Sequence, residues 1–303
     1  MNTRPIAELY KNREKLDYST NPIYYLDDPY QSVCFFEIYV NGFLVFKRYE
    51  NVGEIGNVIP LNDVILKSGT QKVKIKLFPA TDINGNPLSS LDDDTRFDFK
   101  IKMYDNKIEN AQDVLVKEYF APTTTGKKDG AFKYPDTPYY EETFTFEAEV
   151  PYTLTGWSES QDLTKMDKDQ LEQEVLAFYA VYDKVIQDQD EEKWVEMVRN
   201  KEEEFLKANT YNDIDDTWIK RRIKEYSNYF DSELIKSYPL DTYEMIFAGD
   251  GRAVALKSIN PENIGESAYS FGLKADVYGD GNIYEIQQFK YIYTSTNPRT
   301  ATN

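Results

Sequence analysis

Residues 167–230 constrain the fold of this chain most, because they carry three consecutive amphipathic patterns with the period of a helix. Within each pattern, apolar side chains recur every three or four positions and share one predicted face. Asp167 and Gln170 have the spacing of a capping box at the start of the first helix, and Pro239 stands beyond the end of the third. An apolar helix face needs a partner surface, so we expect the flanking segments to supply a sheet.

The first half of the chain predicts antiparallel strands. Residues 32–40 and 43–49 flank Asn41-Gly42, which accepts the positive φ angles of a type I′ hairpin turn. Apolar and polar side chains then alternate in four further segments, at residues 71–79, 95–104, 114–120 and 143–150. Such alternation indicates one buried and one solvated face. Several such strands without long helices between them indicate an antiparallel β-sandwich.

After the helices, the chain returns to strand patterns. Two pairs of strand-like segments flank the glycine-containing turns at residues 249–251 and 279–282. The apolar phase slips at Gln287-Gln288, which predicts a bulge and a bent sheet. The sequence therefore predicts an α+β protein. It comprises an N-terminal β-sandwich at residues 1–155, a linker at residues 156–166, and at residues 167–303 a domain of three helices packed on a curved antiparallel sheet.

Parts of the chain resemble known folds. The run from Pro60-Leu61-Asn62 to Gln71 resembles the turn before a strand in bacterial jelly-roll and sugar-binding-type sandwich domains. The element order of the C-terminal half resembles the NTF2-like, ketosteroid-isomerase-like cone. As an acidic two-domain chain, the protein resembles bacterial immunity proteins, which neutralise secreted toxins. Jelly-roll and sugar-binding-type sandwich folds occur in lectins, adhesins and spacers alike, so the resemblance of residues 60–71 implies a fold rather than a function.

Composition narrows the chemistry. The 303 residues carry a formal net charge of -18 and include no histidine. Phosphate backbones and anionic membranes require clustered Lys and Arg, so the charge disfavours nucleic acid and membrane partners and would attract a basic protein. The same acidity is also explained by solubility alone. Without histidine, the Ser-His-Asp and Cys-His mechanisms and histidine-ligated zinc are excluded. The single cysteine, Cys34, lies in an apolar run and is expected to be a buried structural thiol.

The candidate partner-binding residues are acidic side chains of the second predicted helix. They are Glu191, Glu192, Glu196, Glu202, Glu203 and Glu204. Carboxylates interleaved with aromatic rings would form a docking surface for a basic partner. The alternative is a solvated helix face, which is the usual role of a charge run.

A candidate metal site lies in the loop that contains Asp82, Asn84 and Asn86. These residues offer oxygen atoms at alternate positions, as a calcium loop does. However, Pro87 stands where an EF-hand requires glycine, and a solvated hairpin loop explains the same residues without a metal. No cofactor is expected.

The cone resemblance implies a carboxylate base with a tyrosine donor. Asp276 beside Tyr278, or Tyr243 with Glu244, are residues of that type. With 25 tyrosines in the chain, a tyrosine near an acid is expected by chance, so no catalytic residue is assigned.

Three functions are consistent with these observations. The first is a non-catalytic protein-binding module, and within that class an immunity protein that binds a basic toxin. The second is a carbohydrate- or surface-binding accessory protein, and the third is an NTF2-like small-ligand binder or enzyme. The N-terminus has no signal-peptide core, which predicts a cytoplasmic protein. A removed export signal would instead place it in the periplasm or at the cell surface.

Overall fold

The computed structural model describes residues 5–12, 16–49, 58–82, 84–208, 216–227, 235–237, 243–258, 271–273 and 283–284. Within these residues the protein is α+β, with antiparallel sheets and four α-helices. The chain divides into two compact units. The strand unit comprises residues 17–154, and the helical unit comprises residues 1–16 and 155–303.

The strand unit contains two four-stranded antiparallel sheets. Its strands are β1 (Pro22–Ser32), β2 (Cys34–Val40), β3 (Phe43–Arg48), β4 (Val58–Pro60), β5 (Lys67–Pro79), β6 (Arg96–Asp105), β7 (Val114–Phe120) and β8 (Tyr140–Thr153). The sheet orders are β4-β1-β6-β7 and β3-β2-β5-β8. The strands predicted from alternation are confirmed. Sequence reasoning missed β1, because its register shifts between Asp27 and Tyr30 and so interrupts the alternation.

The two sheets share a core of alternate side chains. In β2, Phe36, Ile38 and Val40 are fully buried. Phe36 contacts Phe97 of the other sheet at 4.5 Å between ring centroids. The turn after β2 has φ angles of 50° at Asn41 and 81° at Gly42, as the predicted type I′ hairpin requires.

Asn62 lies in the segment from Pro60 to Gln71 that resembles a jelly-roll turn, and its side chain links this segment to β1 and β8. The side chain is fully buried, and its Oδ1 accepts a hydrogen bond of 2.8 Å from the backbone N–H of Tyr24. Its Nδ2 donates to the carbonyl of Pro22 at 2.9 Å and to the Tyr152 hydroxyl at 3.2 Å. A buried amide with all these partners satisfied joins β1 and β8 through one side chain.

The helical unit contains α1 (Pro5–Lys11), α2 (Lys168–Gln187), α3 (Glu191–Ala208) and α4 (Asp216–Ser227). The three predicted helices are present, but α4 ends at Ser227, and Ile235–Ser237, which precede Pro239, form a strand rather than the end of the third helix. Asp167 caps α2 by accepting a hydrogen bond of 2.9 Å from the N–H of Gln170. Ile6, Leu9 and Tyr10 of α1 belong to the same hydrophobic cluster as residues of α2, α3 and α4. The N-terminal residues therefore pack with the helices, whereas the predicted boundary at residue 155 placed them with the strands.

The C-terminal strands are β9 (Ile235–Ser237), β10 (Tyr243–Ala248), β11 (Ala253–Ser258), β12 (Phe271–Leu273) and β13 (Ile283–Tyr284). β10 and β11 form the predicted hairpin, and Val254 and Leu256 of β11 pack with apolar residues of α2. β12 pairs antiparallel with both β9 and β13. The predicted bulge at Gln287-Gln288 and most of the predicted second hairpin lie outside the described residues. The cone architecture therefore stays a prediction.

The segment predicted as a linker is folded onto the helical unit. Trp157 and Leu163 are buried, and the Leu163 N–H donates to the carbonyl of Gly251 at 2.8 Å. Gly251 has a φ of +84°, and a Cβ there would lie 2.8 Å from Cγ2 of Thr164. A glycine is therefore required on both conformational and steric grounds. The segment was predicted as a linker from its polar composition, and composition cannot reveal a backbone hydrogen bond to a residue as distant in sequence as Gly251.

Candidate functional site

Three exposed carboxylates lie along one line of α3. Glu192, Glu196 and Glu203 follow the i, i+4, i+11 spacing of a single helix face, and all three are exposed. The opposite face is anchored in the core by Trp194 and Val198. We call Glu192, Glu196 and Glu203 the acidic stripe. It is a row of negative charge on a helix whose other face is fixed.

Two of the stripe carboxylates have nearby cations on the same helix. Lys193 Nζ lies 2.7 Å from Oε2 of Glu196, and Arg199 Nη1 lies 3.9 Å from Oε1 of Glu203. Exposed ion pairs of this kind stabilise a protein by only about 0.2–1 kcal/mol. The stripe is therefore partly neutralised, by interactions that a partner's own cations could replace.

The three consecutive glutamates at 202–204 point in different directions, because successive helix residues are rotated by about 100°. Glu202 is 1% exposed, and its Oε2 accepts a hydrogen bond of 2.6 Å from the Tyr10 hydroxyl. Glu204 is half-buried, and its Oε1 accepts from the backbone N–H groups of Thr155 at 3.1 Å and Gly156 at 2.9 Å. Only Glu203 of this run is exposed.

The structure thus corrects the set of predicted partner-binding residues. Glu202 cannot contact a partner, because its carboxylate lies inside the helical core. Glu204 holds the backbone of the segment that precedes α2. Glu191 is half-buried at the start of α3, next to the stripe. Three consecutive glutamates in the sequence do not show which of them are exposed and which are buried. The rotation of about 100° per helix residue does predict that three neighbours cannot share one face.

The loop around Asp82 is organised by its own amides. Asp82 Oδ1 accepts from the N–H groups of Asn84 and Asn86, each at 2.8 Å, and Oδ2 accepts from Nδ2 of Asn86 at 2.9 Å. These bonds, above all the one from the Asn86 side chain, lower the pKa of Asp82. The contacts are those of an Asx-type turn, which needs no metal. Among the described residues, no cluster of three or more acidic or cysteine side chains could hold a metal ion.

Tyrosine hydroxyls donate to glutamate carboxylates in several parts of the described structure. Besides the Tyr10–Glu202 pair, Glu142 accepts from Tyr119 and from Tyr140, each at 2.9 Å. The tyrosine hydroxyls supply hydrogen-bond donors to these carboxylates, and histidine, which the chain lacks, is not available for that role. Their recurrence is consistent with structural roles for tyrosine beside an acid.

Of the candidate residues for a cone active site, the described structure includes Tyr243 and Glu244, which are neighbours on β10. The Tyr243 hydroxyl donates to Oε1 of Glu172 on α2 at 2.5 Å, and this bond raises the pKa of Tyr243. Tyr243 also packs against the apolar cluster between α2 and β11. Asp276 and Tyr278 lie outside the described residues. The thiol of Cys34 is buried, as predicted, and burial raises its pKa to about 12.

The solvent-facing side of sheet β3-β2-β5-β8 carries an aromatic cluster that sequence reasoning did not single out. Tyr49 contacts Phe35 at 5.9 Å and Phe78 at 6.3 Å between ring centroids. Phe35 and Phe78 stand directly opposite each other on β2 and β5. We call Phe35, Tyr49 and Phe78 the aromatic patch. The signal lies in the alternation of β2, where Phe35 and Tyr39 belong to the face opposite the core residues.

Charged residues adjoin this patch on the same face. The hydroxyls of Tyr39 and Tyr49 both donate to the carboxylate of Glu37. The Nζ atoms of Lys74 and Lys76 lie 5.0 and 5.3 Å from the centroid of the Tyr39 ring, within cation–π range. The pKa values of Tyr39 and Tyr49 are both raised. Partial burial is the larger cause, and the hydrogen bond to Glu37 is the second. Both hydroxyls therefore keep their protons at neutral pH and act as donors.

No helix of the described residues is long and apolar enough to cross a membrane. No protein-family model, no curated protein and no solved structure matches the chain.

Proposed function

We propose that this chain is a non-catalytic protein-binding module, with a β-sandwich and a helical domain, that docks a basic partner on the acidic stripe of α3. The observation that supports the proposal is the alignment of Glu192, Glu196 and Glu203 on one exposed helix face. The net charge of -18 would accelerate encounter with a basic protein over long distances.

The fixed position of the stripe favours this role. Trp194, Val195 and Val198 hold the other side of α3 in the helical core, so docking would order little backbone. The partner's lysines and arginines would replace Lys193 and Arg199 beside the carboxylates, an exchange that costs little because such pairs are weak. Steering by charge affects the association rate more than the final affinity.

Within this class, we propose an immunity protein that neutralises a basic secreted toxin. Toxins that act on nucleic acid or phosphate carry basic surfaces, and an acidic helix could cover such a surface. The support is charge complementarity together with the binding face described above.

The test is a pair of charge-reversal variants with equal change in net charge. The first is Glu192→Lys, Glu196→Lys and Glu203→Lys, in the acidic stripe. The control is Glu109→Lys, Glu118→Lys and Asp129→Lys, three exposed acids of the strand unit. The partner is first captured with the tagged wild-type protein at low and high salt and is identified by mass spectrometry.

Association kinetics then decide. We expect the stripe variant to associate at least about tenfold more slowly than the control variant and to show a flatter dependence on salt. Equal kinetics for the two variants would remove the stripe from the interface. A partner whose binding rate is insensitive to salt would contradict the proposal of a basic partner.

A further inference from the structure

The solvent-facing side of sheet β3-β2-β5-β8 combines two surfaces that differ in chemistry. One is the aromatic patch, in which the Tyr49 side of the cluster is open to solvent, with Tyr49 itself 48% exposed. The other is a row of charged residues that crosses the sheet beside the patch. We call this row the charge ladder; its members, on β3, β2, β5 and β8 in turn, are Lys47, Glu37, Lys76 and Glu141.

The strand register shows that the ladder is continuous. Glu37 is the partner of Lys47 on one side and of Lys76 on the other, and Lys76 is the partner of Glu141. Directly paired side chains on one face of an antiparallel sheet lie close enough to interact. Signs alternate along the row, so the ladder balances its own charge. It differs in this respect from the chain as a whole, whose net charge is -18.

The patch and the ladder are joined through Glu37. Its carboxylate accepts from Tyr49 of the patch and, at 2.6 Å, from Tyr39 in the next row. The side chain is thereby held in one orientation beside the aromatic rings. A ligand lying across this face would meet ring surfaces on one side and fixed hydrogen-bonding groups on the other.

The chemistry of the face selects the class of ligand. Aromatic rings pack well against flat apolar surfaces, and carboxylates and ammonium groups bind hydroxyls as acceptors and donors. A sugar ring presents both features, with C–H groups on its face and hydroxyls around its edge. The ladder itself is balanced in charge, so this row complements a ligand without net charge. Lys74, in the next row, lies over the Tyr39 ring.

Nucleic acid fits this face less well. Lys74 adds a positive charge beside the ladder, but Glu37 and Glu141 would lie against the phosphates of a nucleic acid, in a protein whose net charge is -18. We propose that the aromatic patch and the charge ladder form a binding face for a neutral polysaccharide, with a sugar ring stacked on Tyr49. This face is separate from the acidic stripe, and neither proposal depends on the other.

The experiment is native affinity electrophoresis of the full chain in gels that contain one polymer each. The neutral polymers are mixed-linkage β-glucan, xylan and galactomannan, and the charged polymers are polygalacturonate and poly(U). We expect at least one neutral polymer to retard the wild-type protein. Tyr49→Ala should weaken that interaction about tenfold, because it removes the stacking ring.

Three further variants separate stacking from other effects. Tyr49→Phe keeps the ring and should retain most of the binding. Tyr30→Ala removes a similarly exposed tyrosine of the other sheet and should bind like the wild type. Glu141→Gln changes an exposed ladder residue and should weaken binding about threefold, which keeps the test decisive if circular dichroism shows that Tyr49→Ala is misfolded.

Each retardation pattern either supports or overturns the proposed polysaccharide-binding face. Retardation by a neutral polymer that is lost in Tyr49→Ala and kept in Tyr30→Ala supports the proposal. The proposal is overturned if no neutral polymer retards the protein, if Tyr49→Ala binds like the wild type while folded, or if only the charged polymers retard it. The charge-reversed stripe variant should keep its retardation, so a failure of the sugar face is distinguishable from a failure of the protein-binding proposal.

Discussion

The strand unit and the helical unit place their carboxylates by different geometrical rules. In β2, alternation sends Glu37 to the solvent-facing side while Phe36 and Ile38 enter the core. In α3, the consecutive residues Glu202 and Glu203 have opposite fates, since the first is buried and the second is exposed. In an alternating strand, a polar residue therefore shows directly which side of the sheet faces solvent. In a helix, the exposure of a polar residue depends on its position within the turn.

Both cores combine apolar packing with buried hydrogen bonds. In the strand unit, Phe36 packs against Phe97, and the buried Asn62 side chain bonds to Tyr24, Pro22 and Tyr152. The helical core contains internal hydrogen bonds, including Tyr10 to Glu202 and the indole N–H of Trp194 to the Tyr182 hydroxyl at 3.0 Å. All three tryptophans of the chain lie in the helical unit, so their fluorescence reports on that unit alone.

Removing a core ring tests the strand unit most severely. We expect Phe36→Ala to lower the free energy of unfolding of that unit by about 3–5 kcal/mol, because it leaves a cavity beside Phe97. The neighbouring change Phe35→Ala lies on the solvent-facing side and should cost about 1 kcal/mol. Urea-dependent hydrogen exchange of β2 peptides measures both. Similar losses for the two variants would contradict the assignment of faces.

Removing a buried carboxylate is the corresponding test in the helical unit. Glu202→Ala should lower the free energy of unfolding by about 2–4 kcal/mol, because it leaves the buried Tyr10 hydroxyl without this acceptor. Its matched control, Glu203→Ala, lies on the surface and should change the value by less than about 0.5 kcal/mol. Tryptophan fluorescence in urea gives both values. If the two variants unfold alike, Glu202 is not buried in solution.

These two neighbours show how far the sequence alone leads. The helix over residues 191–208 follows from its apolar period, but the burial of Glu202 depends on Tyr10, which is 192 positions away. No local pattern contains that contact. In contrast, the alternating strands β2, β3 and β5 to β8, the Asn41-Gly42 turn and the hairpin of β10 and β11 are encoded locally and were predicted. β1 was missed, because a register shift interrupts its alternation. The aromatic patch lies between these cases, because alternation shows its face and only the register brings Phe35 opposite Phe78.

The contact between Glu204 and the segment before α2 is expected to have a smaller effect. Glu204→Gln removes the charge that accepts the N–H groups of Thr155 and Gly156 and should cost about 1–2 kcal/mol. Hydrogen exchange at these two amides should accelerate more than exchange in the middle of α3. Unchanged protection would mean that the segment is held by the burial of Trp157 and Leu163 rather than by the carboxylate.

The smallest effect concerns two loop carboxylates, one in each unit, that are held by hydrogen bonds. Asp82 in the strand unit is held mainly by Asn86, and Asp162 in the helical unit by Thr164, whose hydroxyl donates at 2.5 Å, and next by Lys165. These contacts lower the pKa of Asp162 from 3.8 to about 2. Because the folded-state pKa is depressed, the stabilisation is complete above about pH 4 and is lost as the pH falls through about 2.

Substitution of the donor should reverse this shift. We expect Thr164→Val to raise the pKa of Asp162 towards 3.8, and by more than Lys165→Met does, since the hydroxyl is the larger cause. Carboxyl carbon chemical shifts followed from pH 6 to pH 1.5 measure both values. Added salt should weaken the contribution of Lys165 and leave Asp82, whose donors are neutral amides, nearly unchanged. A larger shift from Lys165→Met would show that the ion pair holds Asp162, and would remove the parallel between the two loops.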